Sequence, residues 1–376
     1  MAFTIILLFI SVSVIPSTGT NVLEKSSTVS FNGNTLYVGG LGPGNYTTIQ
    51  AAIDDADNGD TVFVYDDSSP YIEHLNITKS IMITGENKDM TKIYGAGEKK
   101  DILFIQSRNV TVINFTIQYA TNLKSGILVS NSSHVTIMDC KFSNIPSMDA
   151  ITVKSSENIT INNCLMSDSF DDNIIGFKTT DRYISGITLE KDCINTTILG
   201  NTISNASYAG IIVLVGCINT KITRNYIHSN DLYGIRVQFS NSTYITENII
   251  SNNNNEGITI INCDNTLISR NLCENNSNAG VGIGDSLNTR VECNNFKHNG
   301  PLGHFAFNFG KGYDNKYPGN IWAGNYWGRP RVFPKPIFGV FTYRREAQSP
   351  IIIIPWLIFD WHPAKEPYDM GGYNEQ

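Results

Sequence analysis

The chain has 376 residues, of which 16% are charged, and a formal net charge of −7 at pH 7. An acidic chain without a cluster of Lys and Arg argues against binding to nucleic acids and to anionic membrane surfaces. Its length would suit two average domains, but the internal repeat described below predicts a single body that grows lengthwise.

The N-terminal segment is predicted to direct export. Residues 2–15 are apolar and precede Pro16-Ser-Thr-Gly, which is too short for a membrane span and suits the core of a secretory signal. We therefore predict a signal peptide at 1–19 and a polar linker at 20–35. Ten Asn-x-Ser/Thr sequons are compatible with an exported glycoprotein. No C-terminal stretch is long enough to anchor in a bilayer, so no stable membrane insertion is expected.

Residues 36–100 are predicted to form an N-terminal cap and the first, irregular coils. One amphipathic helix is expected here, because Ile49, Ala52, Ile53 and Ala56 recur at helical spacing. Thr47 or Thr48 would be its N-cap, and Asn58-Gly59 would end it. Such a helix would cover the unpaired strand edges at the end of a solenoid.

Residues 101–299 contain a repeat of about 23 residues. Its glycines step by 24, 23 and 23 residues through Gly210, Gly234, Gly257 and Gly280. A second block in each repeat carries an asparagine at Asn225, Asn248, Asn271 and Asn294. Between these marks, Ile, Val and Thr alternate with polar residues, which predicts short strands with one buried face.

A helix-free unit of this size cannot bury its own apolar face, so the repeats are expected to stack. Each strand would pair with its equivalent one coil away, which makes an all-β parallel β-helix. The repeated asparagines are expected to adopt left-handed turns and to hydrogen-bond to those of the coils above and below. Arg224, Glu247 and Arg270 would form an outward ionic ladder.

The seven cysteines are an odd number. Cys193, Cys217 and Cys263 share one column of the repeat, which indicates buried small residues rather than a disulfide framework. A bridge between Cys193 and Cys217, on neighbouring coils, stays open.

Two segments depart from the repeat. The step from Cys164 to Asn201 is 37 residues where 24 is expected, which predicts a projecting loop at 168–185. After Asn299 the composition changes, since all four Trp lie beyond residue 300. We predict an aromatic and Pro-rich C-terminal cap at 300–376, although exposed Trp could instead stack on sugars.

The repeat resembles that of the pectin-lyase-like proteins, through its Gly-Ile strand starts and its Ile-x-x-Asn-x-Ile blocks. The run from Tyr46 to Val64, with Ile83-Thr-Gly-Glu-Asn-Lys-Asp, is similar to the entry module of archaeal surface β-helix proteins. Many of these are grouped with the NosD-like family, which is associated with periplasmic copper handling. The resemblance implies a right-handed, single-stranded β-helix and export. It implies little about activity, because this fold hosts lyases, hydrolases, adhesins and maturation factors.

Counting along the repeat places outward residues of successive coils side by side. Before the Gly-Ile strand lie Asp149, Ser185, Ala209, Tyr233 and Glu256. Its outer face carries one row of Lys154, Glu190, Leu214, Gln238 and Ile261, and a second row of Thr152, Thr188, Ile212, Arg236 and Thr259. The predicted loop would place five charged residues over this face: Asp168, Asp171, Asp172, Asp181 and Arg182. With Tyr183, Tyr208 and Tyr233 nearby, the groove suits an extended saccharide.

The candidate catalytic residues are Asp171, Asp172, Glu190, Arg236 and Lys154. Glycoside hydrolysis needs two carboxyl groups a few ångströms apart, for which Asp171-Asp172 with Glu190 or Glu256 are the candidates. A lyase would use Ca²⁺ held by Asp171, Asp172 and Asp181, with Lys154, Arg182 or Arg236 as the base. The Gly-His-Gly and Arg-Ile-Lys motifs of β-helix polygalacturonases are missing. The plainer interpretation is a solvated acidic loop, with Lys154 and Glu190 as a surface pair.

The sequence therefore favours a secreted or cell-surface binding or structural protein, monomeric and without a cofactor. Its partner would be a polysaccharide or cell-surface glycan, contacted by Asp149, Asp181, Arg182, Tyr208, Tyr233 and Glu256. The first alternative is a polysaccharide lyase, with Ca²⁺, or a glycoside hydrolase. The second is a NosD-like periplasmic copper-handling protein. No metal site is predicted, because the six His share no column or close spacing.

Overall fold

The protein is a solenoid of three long parallel β-sheets, which we name A, B and C. This computed structural model describes residues 31–95, 100–118, 125–143, 149–167, 184–300, 306–311, 319–343 and 352–370. Within a coil the chain passes through sheet C, then sheet A, then sheet B, and each strand pairs with its equivalents in the coils before and after. The predicted all-β solenoid is confirmed.

The strands are short because each spans only one side of a coil. Sheet A contains Thr35–Val38, Thr61–Val64, Met82–Gly85, Val110–Ile113, Val135–Met138, Thr160–Asn162, Thr197–Leu199, Lys221–Thr223, Tyr244–Thr246, Leu267–Ser269, Arg290–Glu292 and Ile321–Ala323. Sheet B contains Tyr71–Ile72, Lys92–Tyr94, Thr116–Gln118, Lys141–Ser143, Leu165–Met166, Thr202–Ser204, Tyr226–His228, Ile249–Ser251, Leu272–Glu274 and Asn295–Lys297. Sheet C contains Leu75–Ile77, Leu103–Ile105, Ile127–Ser130, Ile151–Lys154, Ser185–Glu190, Ala209–Val213, Tyr233–Gln238, Ile258–Ile261, Val281–Gly284, Ala306–Lys311, Lys335–Tyr343 and Ile352–Asp360.

The core is a stack of aliphatic rows, one from each sheet. The isoleucine after each repeat glycine lies inside, as Ile211 and Ile235 show, and so does Ile222 before the repeated asparagine; all three are fully buried. Burying a side chain of this size contributes about 1.5–3 kcal/mol, so stability grows with each added coil. Cys193, Cys217 and Cys263 are buried and unbridged, as the column predicts.

The asparagines between sheets A and B form a hydrogen-bonded ladder through the core. Nδ2 of Asn225 donates to Oδ1 of Asn248 at 2.9 Å, and Nδ2 of Asn248 donates to Oδ1 of Asn271 at 2.9 Å. The ladder is confirmed, but the expected left-handed backbone at the asparagine is wrong. The positive φ falls one residue earlier, for example at Arg224 (54°) and Glu247 (57°). Those side chains point outward, where they form an ion pair at 2.8 Å.

The N-terminal helix spans Ile49–Asp55 and contacts the first strands of sheets A and C. Thr48 is its N-cap, with Oγ1 accepting from the Ala51 backbone at 3.3 Å. The Glu73 carboxylate accepts the backbone N–H groups of Ile49 and Gln50 at 2.8 and 2.9 Å. The helix ends at Asp55, before the expected Asn58-Gly59, because the chain turns extended at the C-cap Ala56.

At the C-terminal end, an antiparallel ribbon of Lys335–Tyr343 and Ile352–Asp360 completes sheet C. The fully buried Asp360 carboxylate accepts from the Asn325 backbone at 2.9 Å, from its Nδ2 at 3.1 Å and from Trp327 Nε1 at 3.1 Å. Asp360 therefore terminates the asparagine ladder. Trp327 is fully buried and packs against Phe296, with ring centroids 4.8 Å apart.

Candidate functional site

The candidate site lies on the outer face of sheet C, where the register follows the predicted rows. Thr152 pairs with Thr188, Thr188 with Ile212, Ile212 with Arg236, and Arg236 with Thr259. In the column before the strand, Ser185 pairs with Ala209 and Ala209 with Tyr233. Residues more than 100 positions apart therefore share one row. The expected exposure of that row is wrong, because four of its members are buried and only Arg236 is partly exposed: Thr152, Thr188, Ile212 and Thr259.

Arg236 packs against two tyrosine rings that also contact each other. Its guanidinium carbon lies 4.8 Å from the Tyr233 ring centroid and 5.7 Å from that of Tyr208. The two rings meet edge-on, with centroids 5.5 Å apart. Nη2 of Arg236 donates to Gln238 Oε1 at 3.3 Å, whereas the buried Nε–H finds no acceptor among the described residues. The two rings and the hydrogen bond to Gln238 therefore hold the guanidinium in place.

Glu256 lies one coil beyond Tyr233 and is only 6% exposed. Its carboxylate accepts from Asn278 Nδ2 at 2.7 Å and from Thr259 Oγ1 at 3.4 Å. Burial raises the pKa of Glu256, while these hydrogen bonds and the charge of Arg236 oppose the rise. A carboxyl group poised in this way next to a fixed cation is typical of functional sites.

Asp149 occupies the equivalent position four coils earlier and is 7% exposed. Its carboxylate accepts the Ser185 backbone N–H at 2.7 Å and lies 3.5 Å from Thr152 Oγ1, which in turn bonds to Ser125 Oγ at 2.7 Å. Burial raises the pKa of Asp149 to about 6. Sequence counting placed both carboxyl groups in one outward column, and the structure shows that neither is solvated.

The carboxyl pairs that would involve Glu256 are too far apart to cooperate. Four coil steps separate Asp149 from Glu256, which is about 19 Å along the axis, and three steps separate Glu190 from Glu256, about 14 Å. Paired glycosidase carboxyl groups lie about 5–9.5 Å apart. Glu190 instead faces Lys154 across one step, with Nζ and Oε2 4.0 Å apart. Lys154 and Glu190 thus form the expected surface pair.

Much of the predicted loop at 168–185 lies outside the residues that the structure describes. Asp168, Asp171, Asp172, Asp181, Arg182 and Tyr183 lie outside them, so their part in a site stays a prediction. The predicted loop extends to residue 185, whereas the sheet C strand already begins at Ser185. The sequence analysis did not predict that Asn278, on the next coil, donates a hydrogen bond to Glu256. Asn278 follows Asn255 by 23 residues, and this repeat spacing could have identified it.

Two family models match the chain. One, described as a right handed beta helix region, matches residues 185–328. The other, described as the periplasmic copper-binding protein NosD, matches residues 53–231. The chain is a right-handed β-helix protein that is similar to the NosD family over residues 53–231. No curated protein matches it.

Solved structures share the fold of this NosD-like chain at low sequence identity. The Dettilon tailspike protein is 14% identical, with a TM-score of 0.57, over 82% of this chain and 72% of the tailspike. The A-module of the Azotobacter vinelandii mannuronan C-5 epimerase AlgE4 is 13% identical, with a TM-score of 0.51, over 73% of this chain and 88% of the module. ORF18 of Geobacillus virus E2 is 14% identical, with a TM-score of 0.53, over 80% and 64% of the two chains. These similarities establish the fold.

The side chains that could coordinate a metal ion are spread over the described part of the chain. No three His, Cys, Asp or Glu residues gather there in a way that could hold a metal ion. Cys193 and Cys217 are neighbours, and their hydrogen bond together with burial raises the pKa of the Cys217 thiol. Across the described residues, no helix has the length and apolar character needed to cross a membrane.

Proposed function

We propose that this NosD-like protein is exported and binds an acidic glycan along the outer face of sheet C. The observation that carries the proposal is Arg236, a half-buried cation that packs against the rings of both Tyr208 and Tyr233. An arginine prefers planar oxyanions such as a uronate carboxylate, and tyrosine rings pack against the apolar faces of sugars.

The shape of the sheet supports an extended ligand. Outward side chains repeat about every 4.8 Å along the axis, so a linear polymer would meet an equivalent row at each coil. Tyr208, Tyr233, Arg236 and Glu256 occupy three consecutive coils, a span of about 10 Å. The first row adds an amide group at Gln238, which lies next to Arg236.

A polysaccharide lyase is the second candidate, favoured by Glu256. Its raised pKa and the neighbouring Arg236 match a group that exchanges a proton beside a carboxylate-bearing sugar. Hydrolysis is less favoured, because Glu190 and Glu256 are too widely spaced. Asp171 and Asp172 would have to supply the missing carboxylates. Copper binding, which the NosD description names, would need a donor set beyond the adjacent thiols of Cys193 and Cys217.

The test is a panel of polysaccharides, with uronate-rich polymers included, incubated with the purified protein with and without Ca²⁺. Binding is measured first, together with unsaturated products and new reducing ends. We expect Tyr233→Ala and Arg236→Gln each to weaken binding at least tenfold. Tyr244→Ala, a matched control on sheet A with a 40% exposed ring, should leave binding unchanged.

The outcomes separate the candidates. Uronate binding lost in the Arg236→Gln variant, without new products, supports a binding protein. Product formation that disappears in Glu256→Gln, or in Asp171→Ala/Asp172→Ala, replaces it with an enzyme. Binding that survives both Tyr233→Ala and Arg236→Gln would contradict the assignment of this site.

A further inference from the structure

The C-terminal end of the solenoid exposes large apolar side chains. The bend before the final ribbon presents Val332, 90% exposed, and Phe333, 80% exposed, and Trp361 just after the ribbon is 63% exposed. Lys335 pairs with Asp360, so the bend and Trp361 lie at the same end of the ribbon. We call Val332, Phe333 and Trp361 the apolar tip.

The apolar surface continues along the ribbon. Phe338 and Leu357 are direct cross-strand partners, and about half of each side chain is exposed. On the opposite face, Ile337 is buried. The ribbon therefore buries one apolar face and exposes another, which soluble proteins seldom do without a partner.

Three cations lie within four residues of Val332 or Phe333 in the sequence: Arg329, Arg331 and Lys335. The two arginines are close enough to affect each other's charge, because burial and the charge of Arg329 lower the pKa of Arg331. Burial and both arginines lower the pKa of Lys335, whose Nζ lies 5.4 Å from the Trp327 ring centroid. No carboxylate of the described residues forms an ion pair with any of the three. The chain as a whole is acidic, with a net charge of −7.

We propose that this end of the protein binds the surface of an anionic lipid membrane. The three cations would lie against lipid phosphates, while Val332, Phe333 and Trp361 enter the boundary between headgroups and acyl chains. Tryptophan favours this boundary because its ring is apolar and its N–H remains hydrated. The attachment is peripheral and independent of the proposed glycan site.

A second copy of the chain fits this surface less well. Symmetric dimers bring identical patches together, so Arg329, Arg331 and Lys335 would face their own equivalents. Like charges placed across an interface lower the affinity by roughly a hundredfold or more. An anionic lipid surface complements both features, the positive charge and the apolar tip.

The experiment is vesicle flotation of the full chain with phosphatidylglycerol-containing vesicles and with phosphatidylcholine vesicles. We expect tighter binding to the anionic vesicles, weakened by added salt. Each cation near such a surface contributes about fivefold in partitioning, so Arg329→Gln/Arg331→Gln should lose roughly 30-fold. Val332→Ser/Phe333→Ser should also weaken binding to the anionic vesicles. The matched control, Arg108→Gln/Lys221→Gln, removes the same charge from exposed coil positions and should lose less than twofold.

Circular dichroism verifies that each variant is folded. Equal binding to both vesicle types, or no loss in Arg329→Gln/Arg331→Gln, would overturn the proposal. So would a dimer, detected by sedimentation equilibrium, that Phe333→Ser dissociates while vesicle binding is absent. The N-terminal segment is common to all variants, so differences between them report on the C-terminal end.

Discussion

The asparagine ladder can be tested by removing one rung, with Asn248→Ala. Asn248 is 1% exposed, and its side chain makes five hydrogen bonds. Its Oδ1 accepts from the backbone and side chain of Asn225, and its Nδ2 donates to two backbone carbonyls and to Asn271. The backbone N–H of Asn225 would be left buried without an acceptor.

The expected loss follows from these bonds. An orphaned buried N–H costs about 2 kcal/mol, and each of the other four lost bonds costs about 0.5 kcal/mol net. We therefore expect Asn248→Ala to lower the free energy of unfolding by roughly 4 kcal/mol. Asn254→Ala is the control on the same coil, because Asn254 is exposed, and it should change stability by less than about 0.5 kcal/mol.

Guanidinium unfolding followed by far-UV circular dichroism measures both variants. The two should unfold with similar slopes and well-separated midpoints. If Asn248→Ala loses less than about 1 kcal/mol relative to Asn254→Ala, the ladder does not stabilise the solenoid in the way argued above. In that case the aliphatic rows alone would account for the stacking.

Three further predictions concern single side chains. Burial raises the pKa of Asp149 to about 6, so the folded protein favours the protonated carboxyl group. The stabilisation from this preference is complete below about pH 4 and is lost as the pH rises through 6, which lowers the free energy of unfolding by about 3 kcal/mol. Asp149→Asn should remove that pH dependence in denaturation curves measured from pH 4 to 7, and an unchanged profile would contradict the buried environment. Asp360→Asn should cost about 2 kcal/mol in the same guanidinium unfolding assay, because the new N–H₂ would face the Gly324 N–H that Oδ1 now accepts, while the amide oxygen keeps the bonds from Asn325 and Trp327. Thr48→Ala should lower stability by about 1 kcal/mol through the lost N-cap, and Thr47→Ala, which removes the neighbouring hydroxyl, should not.

Much of the candidate site was predictable because strand pairing in a solenoid links neighbouring repeats. Counting in steps of 23 or 24 residues brought Arg236 beside Thr259 and Tyr233 beside Ala209, and the structure confirms both pairs. Counting does not give burial. Asp149 and Glu256 were expected on an outward column, yet both are enclosed, which raises their pKa values.

Other features depend on contacts that the repeat does not contain. Asp360 reaches back 35 residues to end the ladder at Asn325, although no period predicts that distance. The cations of the C-terminal end were missed because the charge of the whole chain is negative. Arg329, Arg331 and Lys335 lie within seven residues, and the turn of the chain places them together beside the apolar tip.

The sequence by itself determined the architecture of this protein. Its period sets the coil, its alternating Ile and Val rows set the core, and both act between adjacent repeats, so local pattern is sufficient. Only the tertiary structure decided which outward side chains become chemically distinctive. These side chains are the cluster of Arg236 with its two tyrosines, the buried carboxyl groups, and the charged, apolar end. Each forms where side chains from different coils or from the cap pack against one another. Desolvation and charge proximity in that space depend on three-dimensional distance, which sequence spacing does not report.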